Sequence, residues 1–320
     1  MSKTTLLGIL LAMAALSPFV GTVSLTLTDI MTSGTLSHRI FFELRLPRLL
    51  LAFMAGATLA LSGLLFQTLF RNALMTPYTL GISSGAILGA GIGMKLGLGS
   101  VFLGIGAVSL FGFSGAVLTV LLLLYLSRYL QYDRNNSLLL LGIALSFFYT
   151  AALMILYFLS SAMETHMLIR YTMGSLATIG YTYPLIVGIT TLLLLSVLHV
   201  KRYELHLFAL SEEQARLKGV HSERLRLQLL LVASLSIGVL VSLTGPIGFV
   251  GLIVPHIVRR LYQKNIARLI LPTFLVGGLF LVVCDGIARS ISIGSDLPIG
   301  LVTALLGGPF FIYLILKQHH

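Results

Sequence analysis

The feature that most constrains this chain is the recurrence of apolar runs long enough to cross a bilayer. A helical span needs about 20 mostly apolar residues. Ten such runs follow one another, over about 5–27, 47–69, 78–94, 101–126, 138–159, 182–200, 226–243, 246–262, 269–288 and 298–316. Their order predicts an all-α polytopic membrane protein with ten transmembrane helices in a single domain, 1–320. Mean hydropathy is +1.01. Only 10% of residues are charged, where a soluble domain carries about a quarter. The first run resembles a signal peptide, with Lys3 ahead of an apolar core and small residues at Ala14 and Ala15. It is read as an uncleaved first span.

Basic residues set the orientation. With the N-terminus inside and the spans alternating, 15 Lys and Arg fall on the inner side and 6 on the outer. Cytoplasmic loops carry such an excess, so both termini are expected in the cytoplasm. The net charge of +11 raises the possibility of nucleic acid. The cations are scattered between apolar runs, however, with no basic face interleaved with aromatics, which argues against it. The one cysteine, Cys284, lies in an apolar run, which excludes a disulfide framework and a cysteine-rich metal site.

The largest stretch that must live in water is 201–226. It holds Lys201, Arg202, Glu204, Glu212, Glu213, Arg216, Lys218, Glu223, Arg224 and Arg226. Its centre, from Leu210 to Lys218, reads as a short helix. Ser211 fits an N-cap, Glu212, Glu213 and Gln214 suit a first turn, and Gly219 fits a C-terminal stop. Leu210, Ala215 and Leu217 are expected to share one face. Such a helix between two spans is either a docking surface for a soluble partner or an ordinary solvated connector.

Other signals are local. Gly81, Gly85, Gly89 and Gly93 repeat every four residues and predict a small-residue ridge on the third span, and Gly56, Ala60 and Gly63 a lesser one on the second. Either ridge can serve close packing or line a pathway, and packing is preferred. Residues 71–77 form a polar break. Thr244-Gly245-Pro246 suggests a tight turn with Pro246 near the first helical position. Asp285 and Arg289 stand at i,i+4 near the outer end of the ninth span. They read as a local ion pair or, less readily beside an arginine, as a proton relay.

Several chemistries are excluded. There is no phosphate-binding loop, zinc-protease helix, paired-carboxylate motif or nucleophile elbow. The chain is therefore not expected to hydrolyse ATP itself, bind a cofactor or metal, or act as a membrane-embedded enzyme. His256 reads as a packed histidine, and His319 and His320 as incidental. Ionisable groups are scarce near mid-membrane, which weighs against the alternative of an ion-coupled secondary transporter.

The chain also resembles a family. Leu44-Arg45-Leu46-Pro47-Arg48, Gly56-Ala57, Leu61-Ser62-Gly63, Gln67 with Arg71-Asn72-Ala73-Leu74, and Leu80 to Ala86 occur in the order found in FecCD-type permeases. Leu140 to Leu145, Met173 to Leu176 and Ala209 to Val220 follow. Gly245 to Arg260 is the longest match, and Asp285 to Arg289 and Leu297 to Gly300 complete it. Three positions depart from the family pattern: Ala73 replaces a usual proline, Thr76 lies where an acid is common, and Ser211 replaces a usual glycine.

The resemblance implies a type II ABC importer permease fold in the bacterial cytoplasmic membrane. It implies a dimer of permease subunits, expected to be a homodimer, that carries an iron chelate, haem or cobalamin. It implies two ATPase subunits, which bind the ATP and Mg, and a periplasmic or lipoprotein substrate-binding protein. By the same resemblance Leu210, Ser211, Glu212, Glu213, Ala215, Arg216, Leu217 and Gly219 form the ATPase-coupling loop. Arg45, Arg48 and Arg289 meet glutamates of the binding protein. Without the resemblance, the same arginines read as lipid-headgroup contacts (Arg45, Arg48) and a partner for Asp285 (Arg289). Asn72, Leu74, Asn135 and Asn136 are implied to form the cytoplasmic gate.

Overall fold

The computed structural model describes residues 8, 12–13, 17–19, 30–31, 35–97, 101–102, 105–129, 134–291 and 297–318. These form helices α1 (Leu46–Phe70), α2 (Ile82–Lys95), α3 (Ala107–Leu126), α4 (Arg134–Phe158), α5 (Ala162–Thr172) and α6 (Thr182–Val200). They continue with α7 (Arg202–Leu210), α8 (Glu212–Leu217), α9 (Ser222–Thr244), α10 (Val250–Tyr262), α11 (Ile266–Ile291) and α12 (Ile299–Gln318). A two-residue antiparallel ribbon, β1 (Val101–Phe102) with β2 (Ile105–Gly106), precedes α3. A helical lead-in, Leu36–Arg39 and the π-helical turn Ile40–Arg45, runs directly into α1.

The bundle is built around α1, which packs against α11, α6, α10 and α9. The apolar window through α1 is 78% buried, while that through α4 is only 11% buried. Thus α1 is the interior helix, and α4 offers its sides to lipid or to another chain. Small residues make the burial of α1 possible. A Cβ on Gly56 would overlap the carbonyl oxygen of Gly277 in α11, and one on Gly63 that of Gly251 in α10. Helix backbones approach this closely only where side chains are absent.

The ridge on the third span is also a packing surface, and it is shorter than its spacing suggests. Gly85, Gly89 and Gly93 face α3: a Cβ on Gly85 would overlap the Thr119 hydroxyl and stand 2.9 Å from the Gly115 carbonyl. Gly81 is not on this face. It starts α2 with a φ of 75° and lies against Gly142 of α4.

Six helices among the described residues are long and apolar enough to cross a membrane: Leu36–Phe70, Ala107–Tyr129, Ser137–Phe158, Thr182–Val200, Ser222–Thr244 and Ile266–Ile291. Ile299–Tyr313 is a shorter apolar helix. The count of ten is therefore not confirmed among the described residues. Most of the run 5–27 lies outside the described residues. The runs at 78–94 and 246–262 condense into α2 and α10, with 14 and 13 helical residues. At 1.5 Å per residue each covers about 20 Å, short of the ~30 Å hydrocarbon core.

The remainder of those two runs is irregular backbone, which survives at membrane depth only inside protein or beside water. Pro246 is accordingly not a first helical residue. α9 stops at Thr244, Gly245 takes a φ of 70°, and the helix resumes at Val250. The intervening turn is held from outside: the Ile247 N–H donates to the Tyr78 hydroxyl, and Ser175 N–H donates to Thr244 O at 2.7 Å.

Helix α5 has no counterpart among the apolar runs. Its signal is the Ser161-x-x-Glu164 capping box, with Glu164 N–H donating to Ser161 Oγ (3.3 Å) and Ser161 N–H to Glu164 Oε2 (2.7 Å). That backbone bond, then Lys95 at 3.0 Å, holds the Glu164 carboxyl below the usual carboxylate range.

Candidate coupling, gate and docking surfaces

The polar stretch folds as two helices rather than one. α7 ends at Leu210, Ser211 turns to extended backbone (φ −158°, ψ 135°), and α8 begins at Glu212. Ser211 is the N-cap: its Oγ accepts Gln214 N–H at 3.4 Å. Gly219 is the stop, with a φ of 80°. Gly219 N–H donates to Arg216 O (2.9 Å) and Val220 N–H to Ala215 O (3.0 Å), the paired bonds of a Schellman ending.

The expected common face of Leu210, Ala215 and Leu217 does not form. The break at Ser211 puts Leu210 on the preceding helix. Ala215 turns into the protein with no exposed surface, while Leu210 and Leu217 are 61% and 82% exposed. Glu212 faces back as well, accepting Arg216 Nη2 at 3.0 Å and Arg226 Nη2 at 3.4 Å. Glu213 is exposed.

Beside this stretch lies the end of α1. Arg71 closes the helix in the left-handed region (φ 51°, ψ 32°). Asn72 Oδ1 accepts Leu74 N–H at 2.9 Å, and Leu74 is 38% exposed. Residues 75–77 then turn inward and are buried. Arg71 Nη2 donates to Phe208 O of α7 at 3.0 Å, so the polar break and the polar stretch belong to one end of the molecule. Asn135 and Asn136 begin α4, and their side chains lie outside the described residues. Reading by residue type missed Phe208 here, and Gln67 entered only as a position matching the family, with no role. Gln67 Nε2 donates to Gly251 O at 3.1 Å and its Oε1 accepts Arg259 Nη1 at 2.7 Å, which joins α10 to α1.

At the far end, Arg48 and Arg289 converge on Asp285, which is 1% exposed. Arg48 donates through Nε and Nη2 to Asp285 Oδ1 at 3.0 and 2.9 Å. Arg289 Nε stands 3.0 Å from Oδ2, an ion pair rather than an aligned hydrogen bond. Arg289 Nη2 also donates to Ser17 Oγ (2.6 Å), and Arg45 Nη1 to Pro18 O (2.7 Å). The i,i+4 pairing read from the sequence is present. Arg48, 237 positions away from Asp285, joins it. Two guanidiniums thus share this carboxylate, and Arg45 is held separately on the Pro18 carbonyl. His256 packs edge-on against Phe310, with ring centroids 5.8 Å apart.

An apolar helical bundle whose described residues include six helices long enough to cross a bilayer, and a polar helix pair outside them, defines a multi-pass membrane protein. The FecCD transport family model matches residues 9–317, and the chain belongs to that family of transport permeases. It is 34% identical over 278 residues to a Helicobacter pylori protein named "Probable iron chelatin transport system permease protein", covering 87% of this chain and 82% of that one. It is 36% identical over 321 residues to the hemin transport system permease protein HmuU of Yersinia pestis, covering 98% and 94%. A solved structure described as "An inward-facing conformation of a putative metal-chelate type ABC transporter" superposes with a TM-score of 0.86 at 31% identity, covering 98% of this chain and 97% of that one.

Proposed function

We propose that this permease imports a metal chelate, an iron complex by preference, across the cytoplasmic membrane with energy from a separate ATPase. The observation that carries the reading is family membership over nearly the whole chain, joined to a polar helix pair that leaves Leu210 and Leu217 exposed. Two relatives are named for an iron chelate and for hemin, and others for molybdate and vitamin B12; the first two support the iron-chelate class. Asp285 is the one buried acid among the described residues, and two arginines neutralise it. Among the described residues this weighs against an ion-coupled mechanism, which uses ionisable groups near the midplane.

In this reading the end carrying α7 and α8 is cytoplasmic, and Leu210, Ser211, Glu212, Glu213, Arg216, Leu217 and Gly219 form the ATPase contact. Ala215 contributes by seating α8 on the permease. Asn72 and Leu74, with Asn135 and Asn136, close the pathway at this end. A second copy of the permease packs against the sparsely buried α4 side. Arg45, Arg48 and Arg289 are the residues that would meet an acidic binding-protein surface at the far end.

Two measurements test the two ends. Leu217→Arg, at an 82% exposed position, should abolish co-purification of the ATPase while leaving the permease folded and inserted. Full retention of the ATPase would show that α8 is only a connector. Ala215→Arg is uninformative, because it places a charge in a site with no exposed surface. At the far end, association of the binding protein should slow severalfold when ionic strength rises from about 0.01 to 1 M, as the Debye length falls from about 30 to 3 Å. A rate independent of salt would contradict docking by the arginine cluster.

A further inference from the structure

We propose that Phe208 is a positioning residue that ties α7 and α8 to the segment 71–74, so that displacement of the helix pair is passed to Leu74. This rests on the reading of α7–α8 as the ATPase contact and of Asn72 and Leu74 as part of the gate. Phe208 is 1% exposed, although it lies two residues before the exposed Leu210. The Arg71 guanidinium stands over its ring, 5.9 Å from the centroid, and that of Arg226 stands 5.4 Å away. A cation at such distances is drawn to the negative face of the ring.

The connection continues on both sides. Arg71 Nη2 also donates to the Phe208 carbonyl at 3.0 Å, so the gate side holds backbone as well as ring. Arg226 Nη2 reaches Glu212 Oε2 at 3.4 Å, in the first turn of α8. Arg71 is a left-handed, non-glycine helix end, a sparsely populated conformation that surrounding contacts must maintain. The next residue, Asn72, holds Leu74 through its side chain. Movement of Phe208 therefore acts on the residue whose backbone sets the direction of 72–74. An apolar plug of equal size would fill the same space without gripping either guanidinium.

The test uses the permease assembled with its co-purifying ATPase in lipid nanodiscs, in a Cys284→Ser background. A nitroxide on Leu74→Cys reports accessibility to a soluble nickel chelate before and after ATP-Mg. Phe208→Leu keeps an apolar, though smaller, side chain and removes the ring face. It should leave the ATPase bound while the ATP-dependent change at Leu74 falls at least about fivefold, the lower end of ordinary coupling between sites. Phe208→Tyr keeps the ring and should restore the response. Arg71→Gln should lose it as Phe208→Leu does, and the double variant should be no worse than either single, as for two members of one link.

A full response in Phe208→Leu, or equal failure of Phe208→Tyr, overturns the proposal. Should Phe208→Leu fail to insert, Arg71→Gln at its exposed position carries the test alone. If ATP-Mg does not move the label in the parent protein, or Leu217→Arg keeps its ATPase, the underlying reading falls and the link with it.

Discussion

Asp285→Ala is expected to destabilise the permease by about 3–5 kcal/mol, the usual result of removing one partner from a buried charge cluster. The carboxylate is 1% exposed, and the Arg48 side chain is 13% and the Arg289 side chain 8% exposed. With the acid gone, two guanidiniums remain close together where water is scarce, and their repulsion adds to the lost attraction. The expected observation is a large fall in the thermal midpoint of the solubilised protein. Asp285→Asn should fall between, since an amide oxygen still accepts a hydrogen bond but carries no charge. Arg289→Met should recover part of the loss in the Asp285→Ala background, although it destabilises the parent protein. An unfolding free energy for Asp285→Ala within about 1 kcal/mol of the parent would mean that the guanidiniums do not depend on this acid.

This cluster marks the limit of what residues in order can reveal. The i,i+4 spacing of Asp285 and Arg289 is legible, because a helix brings those positions together whatever surrounds it. The approach of Arg48 is not, because it depends on α1 and α11 lying antiparallel through the glycine contact at Gly56 and Gly277. The same contrast holds on the polar stretch. Ser211 as cap and Gly219 as stop are decided within one or two turns of backbone, and both are where local chemistry puts them.

The direction of Ala215 is set by tertiary packing, and a break of one residue at Ser211 was enough to scatter the expected face. Apolar run length finds the membrane class and the limits of α6 closely. It overstates α2 and α10, since a run of apolar residues looks the same whether its backbone is helical or, as at 245–249, irregular and held by a distant tyrosine. Phe208 offered only one weak signal, an aromatic residue inside a polar stretch.

Gly63→Val is expected to have the second large effect, and it tests the packing on which both ends depend. A Cβ at Gly63 would overlap the Gly251 carbonyl oxygen and stand 2.6 Å from Gly251 Cα. The obstacle is backbone, which cannot rotate away, so α10 must move as a body. One turn further along α1, Gln67 donates to that same Gly251 carbonyl at 3.1 Å and accepts from Arg259 at 2.7 Å. Displacing α10 therefore breaks two polar contacts in addition to the steric cost. Overpacking alone costs about 1–3 kcal/mol. Gly63→Ala should fall in that range, and Gly63→Val should exceed it with a marked loss of folded yield. Gly308→Ala is the control, since a Cβ there meets nothing within 4 Å. On a helix, that substitution should be neutral or slightly stabilising. Thermal midpoints and yields of the three variants, solubilised in one detergent, decide the matter. If Gly63→Ala behaves like Gly308→Ala, α1 and α10 are not in backbone contact, and the seating of Arg259 on Gln67 must have another cause.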